Sequence, residues 1–272
     1  MFSLKLKLKP IIFLTTLILI ILTKVNSNEI CSIQTKVTKY HLIEKCHRSK
    51  LGTLVKANVS LISCQKLGIE KKGLALNFSP PEVRGVEYTC EVLKCAEADG
   101  GYSLVNDTNF DYYSIYGKPI PDVNSTCVPG IGMLHLLPKR RNFTEARAEC
   151  RNRSSSLTDV ASEQRTEAVA QLLTGAGVEA AYVGLRRKNS TVFVGDNGKS
   201  LDCTTYRAWA PGHPRKNYTK FDCALVTKNK MWLSTPCAKR HPVLCELKPG
   251  GPYRRGTIFK SRLKIANGGF NV

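Results

Sequence analysis

Trp209-Ala-Pro-Gly-His-Pro-Arg215 opens the stretch of sequence that decides the fold of this chain, and His241-Pro-Val-Leu-Cys-Glu246 closes it. Between them lie Asp222-Cys-Ala224 and Met231-Trp-Leu-Ser-Thr-Pro-Cys237. The stretch carries three cysteines and the only two tryptophans of the chain. Because large aromatic side chains usually pack in a core, we expect both tryptophans to flank the loop as core residues.

Upstream of this stretch, the pattern from residue 133 onward indicates two helices and short strands. Asn142-Phe-Thr-Glu145 predicts a helix start, because Asn caps the first turn and Glu three residues later reaches back to the Asn amide. A second helix is predicted over residues 162–173. Residues 133–137, stopped by Pro138, and residues 182–185 are predicted as short apolar strands. Together with long loops rich in Gly and Pro, these elements predict an α+β fold.

The order of motifs from residue 143 onward resembles the C-type lectin-like domain. The resemblance is carried by Phe143-Thr-Glu-Ala-Arg-Ala-Glu-Cys150, Leu157, Tyr182-Val-Gly-Leu185 and the stretch quoted above. It implies a domain over residues 129–247 with two helices, small antiparallel sheets and a long loop region. It also implies two disulfides, Cys150–Cys245 and Cys223–Cys237. In the chain-entropy model the first contributes about 4–5 kcal/mol and the second about 3 kcal/mol.

The calcium ligands of sugar-binding members of this family have no equivalents here. The resemblance places those positions at His213, Pro214, Arg215, Leu233 and Ser234. Calcium takes about six to eight oxygen ligands, with carboxylates prominent, and neither an imidazole nor a guanidinium supplies any. A guanidinium held ~5 Å from the ion would cost roughly 6–7 kcal/mol at an effective dielectric constant near 20. We therefore expect no calcium site and no cofactor, although Pro214 is expected to keep the cis form usual in the family.

The long loop carries more cations than carboxylates, which predicts a surface that recognises anions. His213 and His241 with Asp222 are not expected to bind zinc, because loop histidines at this spacing are usually solvated. The sequence contains no nucleophile elbow, metal triad or phosphate loop, so we do not expect an enzyme. The candidate ligand-binding residues are Arg186, Arg187, Lys188, Arg207, His213, Arg215, Lys216 and Lys220.

The chain begins with the layout of a signal peptide over residues 1–27: a basic start, an apolar run over residues 11–22 and small residues before residue 28. The apolar run is shorter than the roughly 20 residues that span a bilayer, and an uncleaved signal anchor is the alternative. No later stretch is apolar enough to span. These features predict a secreted, extracellular protein without a transmembrane segment.

All 11 cysteines follow the leader, which predicts a disulfide framework. The odd count leaves one thiol free or bonded to a second chain, as in a disulfide-linked dimer. Cys203 could bond Cys127 or remain the odd thiol. Eight N-x-Ser/Thr sequons predict a glycosylated surface, and they lie at Asn58, Asn77, Asn106, Asn124, Asn142, Asn152, Asn189 and Asn217.

Residues 28–96 are predicted to form a small cysteine-rich α+β module. A helix is predicted over residues 59–67, with strands at residues 74–78 and 87–93. A cysteine on the helix and another on the second strand resemble PAN/apple modules over residues 31–95, although the second disulfide usual in that family is absent near Gly68 and Leu74. The resemblance implies Cys64–Cys90, and a bond from Cys31 or Cys46 to Cys95.

Two segments have less defined patterns. Residues 97–128 are polar and are predicted to be an exposed linker, in which residues 112–116 could form a short strand on either domain. Residues 248–272 contain no acidic residue and are predicted to be a disordered basic tail, either a solvated end or an anchor for an anionic matrix.

The leading hypothesis is a secreted binding protein that recognises a protein or an anionic matrix ligand without calcium. The net charge is +20, or +16 without the four lysines of residues 1–27, and it favours anionic partners such as sulfated glycans. Secretion makes nucleic acid an unexpected partner, and a solvated basic surface without a partner is the plainest alternative. Two other functions stay open: a metal-independent lectin that binds sugar through Tyr206, Asn217 or Tyr218, and a structural matrix or cuticle component crosslinked through the odd cysteine.

Overall fold

The computed structural model describes residues 31, 38–80, 89–118, 120–121, 125–188, 192–215 and 220–250. The predicted signal peptide and residues 251–272 of the predicted tail lie outside these ranges. Among the helices in this part of the chain, none has the length and apolar character needed to cross a bilayer.

The described chain is α+β, as the sequence predicts. Its helices are α1 (Leu61–Glu70), α2 (Phe143–Asn152) and α3 (Glu163–Gly175). Its strands are β1 (His41–Glu44), β2 (His47–Ser49), β3 (Thr53–Ala57), β4 (Ala75–Ser79), β5 (Thr89–Leu93), β6 (Leu104–Asn106), β7 (Asp111–Ser114), β8 (Ser125–Val128), β9 (Gly132–Arg141), β10 (Ser155–Leu157), β11 (Ala180–Arg187), β12 (Phe193–Val194), β13 (Cys223–Thr227), β14 (Trp232–Thr235) and β15 (His241–Leu247).

The first sheet has the order β1-β7-β4-β5-β3, with every neighbouring pair antiparallel. Helix α1 begins after Ser60, whose side chain accepts a hydrogen bond from the Ser63 amide and so caps the first turn. The buried face of the helix carries Cys64 and Gly68. A Cβ atom added at Gly68 would lie 2.4 Å from the Tyr40 hydroxyl oxygen. Glycine is therefore required where Tyr40 packs against the helix.

The prediction of a linker over residues 97–128 is wrong, because part of this segment is central to the first sheet. Strand β7 lies between β1 and β4. Its Tyr112 and Tyr113 are buried, and so are Phe110 and Ile115 on either side. The short strand considered possible at residues 112–116 is present as β7, it belongs to the first sheet, and its aromatic side chains fill the core.

A buried polar cluster lies on the same sheet around Glu91. Its carboxylate accepts hydrogen bonds from Arg48 Nε at 3.0 Å and Asn77 Nδ2 at 3.0 Å, and Lys56 Nζ lies 2.9 Å away. Asn77 Nδ2 also donates to the Ser49 carbonyl oxygen at 2.8 Å, and Asn77 is 0 % exposed. A glycan attached to this nitrogen would have no path to solvent, so the predicted glycosylation of Asn77 is wrong.

The second sheet has the path β14-β13-β11-β15-β9-β8, with β10 paired to β15 and β12 paired to β11. Strands β11 and β15 are parallel at Tyr182 and Val243, and the remaining pairs are antiparallel. Separate apolar clusters contain Trp232 with Leu173 of α3, and Tyr182 with Phe143 of α2. The sheet is therefore packed between its two helices.

Helix α2 begins as the sequence predicts. The Asn142 side chain accepts a hydrogen bond from the Glu145 amide at 2.9 Å, and the Glu145 carboxylate accepts one from the Asn142 amide at 3.2 Å. This reciprocal capping box satisfies two amides that the helix itself cannot pair. Helix α3 begins after Ser162, whose side chain accepts from the Arg165 amide.

The predicted stop at Pro138 is wrong, because β9 continues from Gly132 to Arg141. Proline has no amide hydrogen to donate to a neighbouring strand. The pairing with β15 shifts register here: Leu137 lies opposite Val243, whereas Arg141 lies opposite His241. This irregularity places Pro138 where the ladder is already interrupted.

The structure contains the three disulfides expected from the sequence, Cys64–Cys90, Cys150–Cys245 and Cys223–Cys237. Two further pairs correct the other assignments: Cys95 bonds Cys127, and Cys31 bonds Cys203. The predicted bonds from Cys31 or Cys46 to Cys95 are therefore wrong, and so is the pairing of Cys203 with Cys127. Cys203 is not the odd thiol either, because the free and exposed cysteine is Cys46.

The first and second sheets share a hydrophobic boundary, while β2 and β6 pair in a separate two-stranded sheet. Met133 of β9 and Leu247 of β15 belong to the core cluster of the first sheet. The Tyr116 hydroxyl accepts a hydrogen bond from the Met133 amide at 2.9 Å, and the Gly250 amide donates to the Ile115 carbonyl oxygen at 3.0 Å. Together with the Cys95–Cys127 bond, these contacts join the two halves of the described chain.

Acid should destabilise the first sheet through Glu91. Burial opposes ionisation of this carboxyl, but hydrogen bonds from Arg48, Lys56 and Asn77 outweigh it and lower the Glu91 pKa from 4.5 to about 2. A pKa lowered on folding contributes stability above pH 4.5, here about 3 kcal/mol, and this contribution is lost as the pH falls through 2. Glu91→Gln should lower the free energy of unfolding at pH 7 by about this amount and flatten its decline below pH 4.5.

The measurement is urea unfolding between pH 7 and pH 2. Glu70→Gln is the matched control, because Glu70 forms an exposed pair with Lys71, and exposed pairs contribute little. Equal pH profiles for the two variants would contradict the assignment to Glu91.

Candidate functional site

The long loop is attached to strand β14 through the two tryptophans. The Trp232 amide donates to the Ala208 carbonyl oxygen at 2.7 Å, and the Ala210 amide donates to the Trp232 carbonyl oxygen at 3.0 Å. Trp232 is fully buried, and its indole nitrogen donates to the Thr166 hydroxyl at 3.2 Å. The rings of Trp209 and Trp232 meet edge to face at 5.5 Å. The tryptophans therefore have the core role that the sequence predicts.

His213 joins the tip of the loop to the same strand. Its Nδ1 accepts a hydrogen bond from the Ser234 amide at 2.9 Å and lies 3.0 Å from the Ser234 hydroxyl oxygen. The Arg215 amide donates to that hydroxyl oxygen at 2.9 Å. The peptide bond between His213 and Pro214 is cis, as expected. The loop backbone is thus held by side chains at the positions where the resemblance places calcium ligands.

The hydrogen bonds define the protonation state of His213. Because Nδ1 accepts from a backbone amide, the ring must carry its proton on Nε2. Burial lowers the His213 pKa, and the positive charge of Arg215 lowers it further. The imidazole is therefore neutral at pH 7.

The five positions that the resemblance assigns to calcium ligands, residues 213–215, 233 and 234, supply no carboxylate. Leu233 has no donor atom, and the Ser234 hydroxyl oxygen already accepts from Arg215. The Arg215 guanidinium lies over the Phe221 ring, 4.7 Å from its centre. Within the described ranges, no group of three or more His, Cys, Asp or Glu side chains could hold a metal ion.

The structure separates the candidate cations into several places. Arg186 and Lys188 are exposed and line a depression with Arg147, whereas Arg207 pairs with Asp202 at 3.2 Å. Lys220 is exposed, and Lys216 lies outside the described residues. Among the candidates that the structure describes, only His213 and Arg215 line the cleft beside the β13–β14 hairpin.

The prediction that Arg187 is an exposed ligand-binding residue is wrong, because Arg187 is only 8 % exposed. Its Nε lies 3.3 Å from Asp222 Oδ1, and its guanidinium lies over the Phe193 ring, 4.7 Å from the centre. Its Nη2 donates to the Arg215 carbonyl oxygen at 3.1 Å. Arg187 therefore supports the loop from inside, although it also borders the depression lined by Arg186 and Lys188.

The structure adds three residues that the sequence analysis did not select: Arg140, Lys239 and His241 line the same cleft as His213 and Arg215. The signal was two basic triplets, Lys139-Arg-Arg141 and Lys239-Arg-His241. They lie at the facing ends of β9 and β15, where Arg141 pairs with His241. The sequence does not show that the two triplets lie close together in space, because they are about 100 residues apart in the chain.

The cleft has a volume of about 670 Å³. His241 packs its ring edge to face against Tyr182 at 5.2 Å. Burial lowers the His241 pKa, and the charges of Lys239 and Arg140 lower it further. The lining residues are Pro138, Arg140, Gly177, Val178, Glu179, Ala180, His213, Arg215, Phe221, Leu225, Leu233, Ser234, Thr235, Pro236, Lys239, His241 and Pro242.

A sheet between two helices, a long loop held to a hairpin and two disulfides across the domain are the arrangement that the resemblance implies. Residues 139–247 match the family model described as "Lectin C-type domain", and this part of the chain is a C-type lectin-like domain.

One curated relative is Collectin-11 from Danio rerio, which is 25 % identical over 114 residues. The match covers 41 % of this chain and 41 % of the relative, so the chain spans about two fifths of the length of that protein.

Solved structures that resemble the chain include human lithostathine, with 20 % identity and a TM-score of 0.41 over 46 % of this chain and 98 % of that one. The herring type II antifreeze protein has 22 % identity and a TM-score of 0.41 over 48 % of this chain and 99 % of that one.

The bond from the Ser234 amide to His213 should be required for stability. Ser234 is only 4 % exposed, so His213→Ala leaves its amide without an acceptor and should cost about 1–3 kcal/mol. His213→Asn is the matched control, because its side-chain oxygen can take the place of Nδ1, and it should cost less. Urea unfolding at pH 7.5 measures both, and equal losses would contradict the role of the acceptor.

The same bond should make the domain sensitive to acid. A histidine pKa lowered on folding contributes stability at pH values above its ordinary value of 6.5, and the contribution is lost as the pH falls through the folded value. Acidification from pH 7.5 to 5.5 should therefore lower the melting temperature of the parent more than that of His213→Asn. An equal decrease in both proteins would show that His213 is not responsible.

Proposed function

We propose that this protein is a secreted binding protein whose C-type lectin-like domain recognises an anionic extracellular ligand without calcium. The observation that carries the proposal is the hydrogen bonding of His213 and Arg215 to Ser234. These side chains and amides satisfy one another at the positions that the resemblance assigns to calcium. A metal ion there would have to break the bonds and tolerate the nearby guanidinium.

The charge distribution supports an anionic ligand. The chain has 41 Lys and Arg residues against 21 Asp and Glu residues. Arg186, Lys188, Arg215 and Lys220 are all exposed in or beside the long loop. Cations on a rigid scaffold attract anions over distances of about 8–10 Å at physiological salt concentrations. Sulfated glycans and acidic proteins of the extracellular space have this chemistry.

Secretion and glycosylation are part of the same proposal. The sequons at Asn58, Asn106 and Asn152 lie at exposed positions, where an attached glycan would meet solvent. Asn142 is half-buried, and its side chain caps α2. The sequons at Asn124, Asn189 and Asn217 lie outside the described residues.

Titration with calcium tests the metal half of the proposal. We expect no binding heat when the full-length secreted protein is titrated with millimolar CaCl₂ at pH 7.5. A saturable heat would contradict calcium independence. Arg215→Ala removes the positive charge that would repel calcium. We expect this variant to show no binding heat either, because the site still lacks carboxylate ligands.

Heparin chromatography tests the anionic half. We expect the protein to be retained at low salt and eluted by NaCl, because salt screens the attraction between the basic side chains of the protein and the sulfate groups of heparin. Passage through the column at low salt would contradict anion recognition while leaving the calcium result intact.

A second function, covalent crosslinking in an extracellular matrix, is favoured by the free and exposed thiol of Cys46. An exposed thiol in an oxidising compartment can pair with the same residue of a second chain. The secreted protein should therefore run as a dimer on non-reducing electrophoresis and as a monomer after reduction, and Cys46→Ser should abolish the dimer. A monomer in both conditions would contradict this second function.

A further inference from the structure

The cleft beside the His213 loop has an apolar inner wall. Leu225 is buried, while Leu233, Pro236 and Pro242 are half-buried. The volume of about 670 Å³ lies within the range of small-ligand sites, roughly 300–1,000 Å³. Such a wall can pack against the apolar face of a sugar ring.

The outer rim of the cleft carries unpaired positive charge. Arg140, Arg215 and Lys239 are exposed and form no ion pair with the residues that the structure describes. Glu179 is the one carboxylate of the lining, and it pairs with Lys228 at 2.7 Å. Other basic side chains of this domain do have acidic partners, as Arg147 does in Asp196. The concentration of uncompensated charge around a concave site favours an anionic ligand.

Neutral polar groups lie between the wall and the rim. His213 and His241 both have pKa values lowered by burial and by neighbouring cations, so both rings are neutral at pH 7. A neutral imidazole has one donor and one acceptor. His213 Nδ1 is already bonded to Ser234, which leaves the Nε2 proton of His213 as a donor. Together with the Thr235 hydroxyl, which lies 3.4 Å from His241 Nε2, these groups suit the hydroxyl groups of a sugar.

The edge of the sheet at this point is not free to pair with a peptide. The amide and carbonyl groups of Trp232 on strand β14 are both bonded to the loop, through Ala208 and Ala210. An acidic peptide could not extend the sheet there and would have to bind through side chains alone. The backbone therefore favours a glycan over an extended acidic peptide.

We propose that this cleft binds a short segment of a sulfated glycan. Sugar rings pack on Leu233 and Pro236, and sulfate groups meet Arg140, Arg215 and Lys239 as charge-assisted hydrogen bonds. This inference rests on the proposed function, which requires an anionic ligand, and it places that ligand in the cleft instead of at Arg186 and Lys188.

The test measures the affinity of the full-length secreted protein for a fluorescent heparin tetrasaccharide by anisotropy at a fixed salt concentration. Arg140→Ala/Lys239→Ala removes two rim charges and should raise the Kd by about tenfold or more. Lys45→Ala/Lys66→Ala removes the same charge from exposed positions in the first sheet unit, and its Kd should stay within about twofold of the parent. All four side chains are exposed, so thermal unfolding should be unchanged in both variants.

Arg186→Ala/Lys188→Ala distinguishes the cleft from the neighbouring depression. If this variant loses binding while Arg140→Ala/Lys239→Ala binds like the parent, the cleft is excluded and the proposed function stands. Equal losses in the cleft variant and in Lys45→Ala/Lys66→Ala would show an effect of net charge and overturn the inference.

A hexaglutamate peptide tests the class of ligand. The parent should bind the tetrasaccharide more tightly than the peptide, and the reverse order would overturn the assignment to a glycan. Binding of neither probe by the parent would remove both this inference and the anionic part of the proposed function.

Discussion

The central position of strand β15 is the constraint on which the rest of the structure depends. The strand pairs antiparallel with β9 and β10 and parallel with β11, so it is hydrogen-bonded on both sides. Cys245 in its middle is bonded to Cys150 of α2, and Glu246 pairs with Arg165 of α3. Leu247 at its end belongs to the core of the first sheet. One strand of seven residues therefore connects both helices of the domain and the preceding unit.

The features that could be predicted from the sequence are those set by local chemistry or by a recognisable order of motifs. The capping box at Asn142 and Glu145 depends on three-residue spacing within one turn, which is visible in any sequence. The bonds Cys150–Cys245 and Cys223–Cys237 followed from the resemblance, because the motif order identifies their partners. The absence of calcium ligands at His213 and Arg215 could also be predicted, because it follows from the residue types at these positions.

The features that could not be predicted depend on contacts between distant parts of the chain. Strand β7 is short and surrounded by polar residues, and its place between β1 and β4 is decided by partners over 30 residues away. Asn77 lies in an ordinary sequon, but its side-chain nitrogen is buried and hydrogen-bonded to Ser49 and Glu91. Arg187 lies in a basic run, but alternation along β11 turns it inward between two exposed neighbours. The basic cleft is formed where residues 139–141 and 239–241 come together, and this depends on the pairing of β9 with β15.

The bond between Cys31 and Cys203 has a consequence for how the chain is made. The two cysteines are 172 residues apart. At a synthesis rate of about 5–20 residues per second, Cys31 waits roughly 10–30 s before its partner is even translated. Throughout that interval Cys31 and Cys46 are both available as thiols, while Cys64 and Cys90 can already pair. The Cys31–Cys203 bond can therefore form only if Cys31 is still a thiol when Cys203 emerges, or if an early bond to Cys31 is opened by thiol exchange.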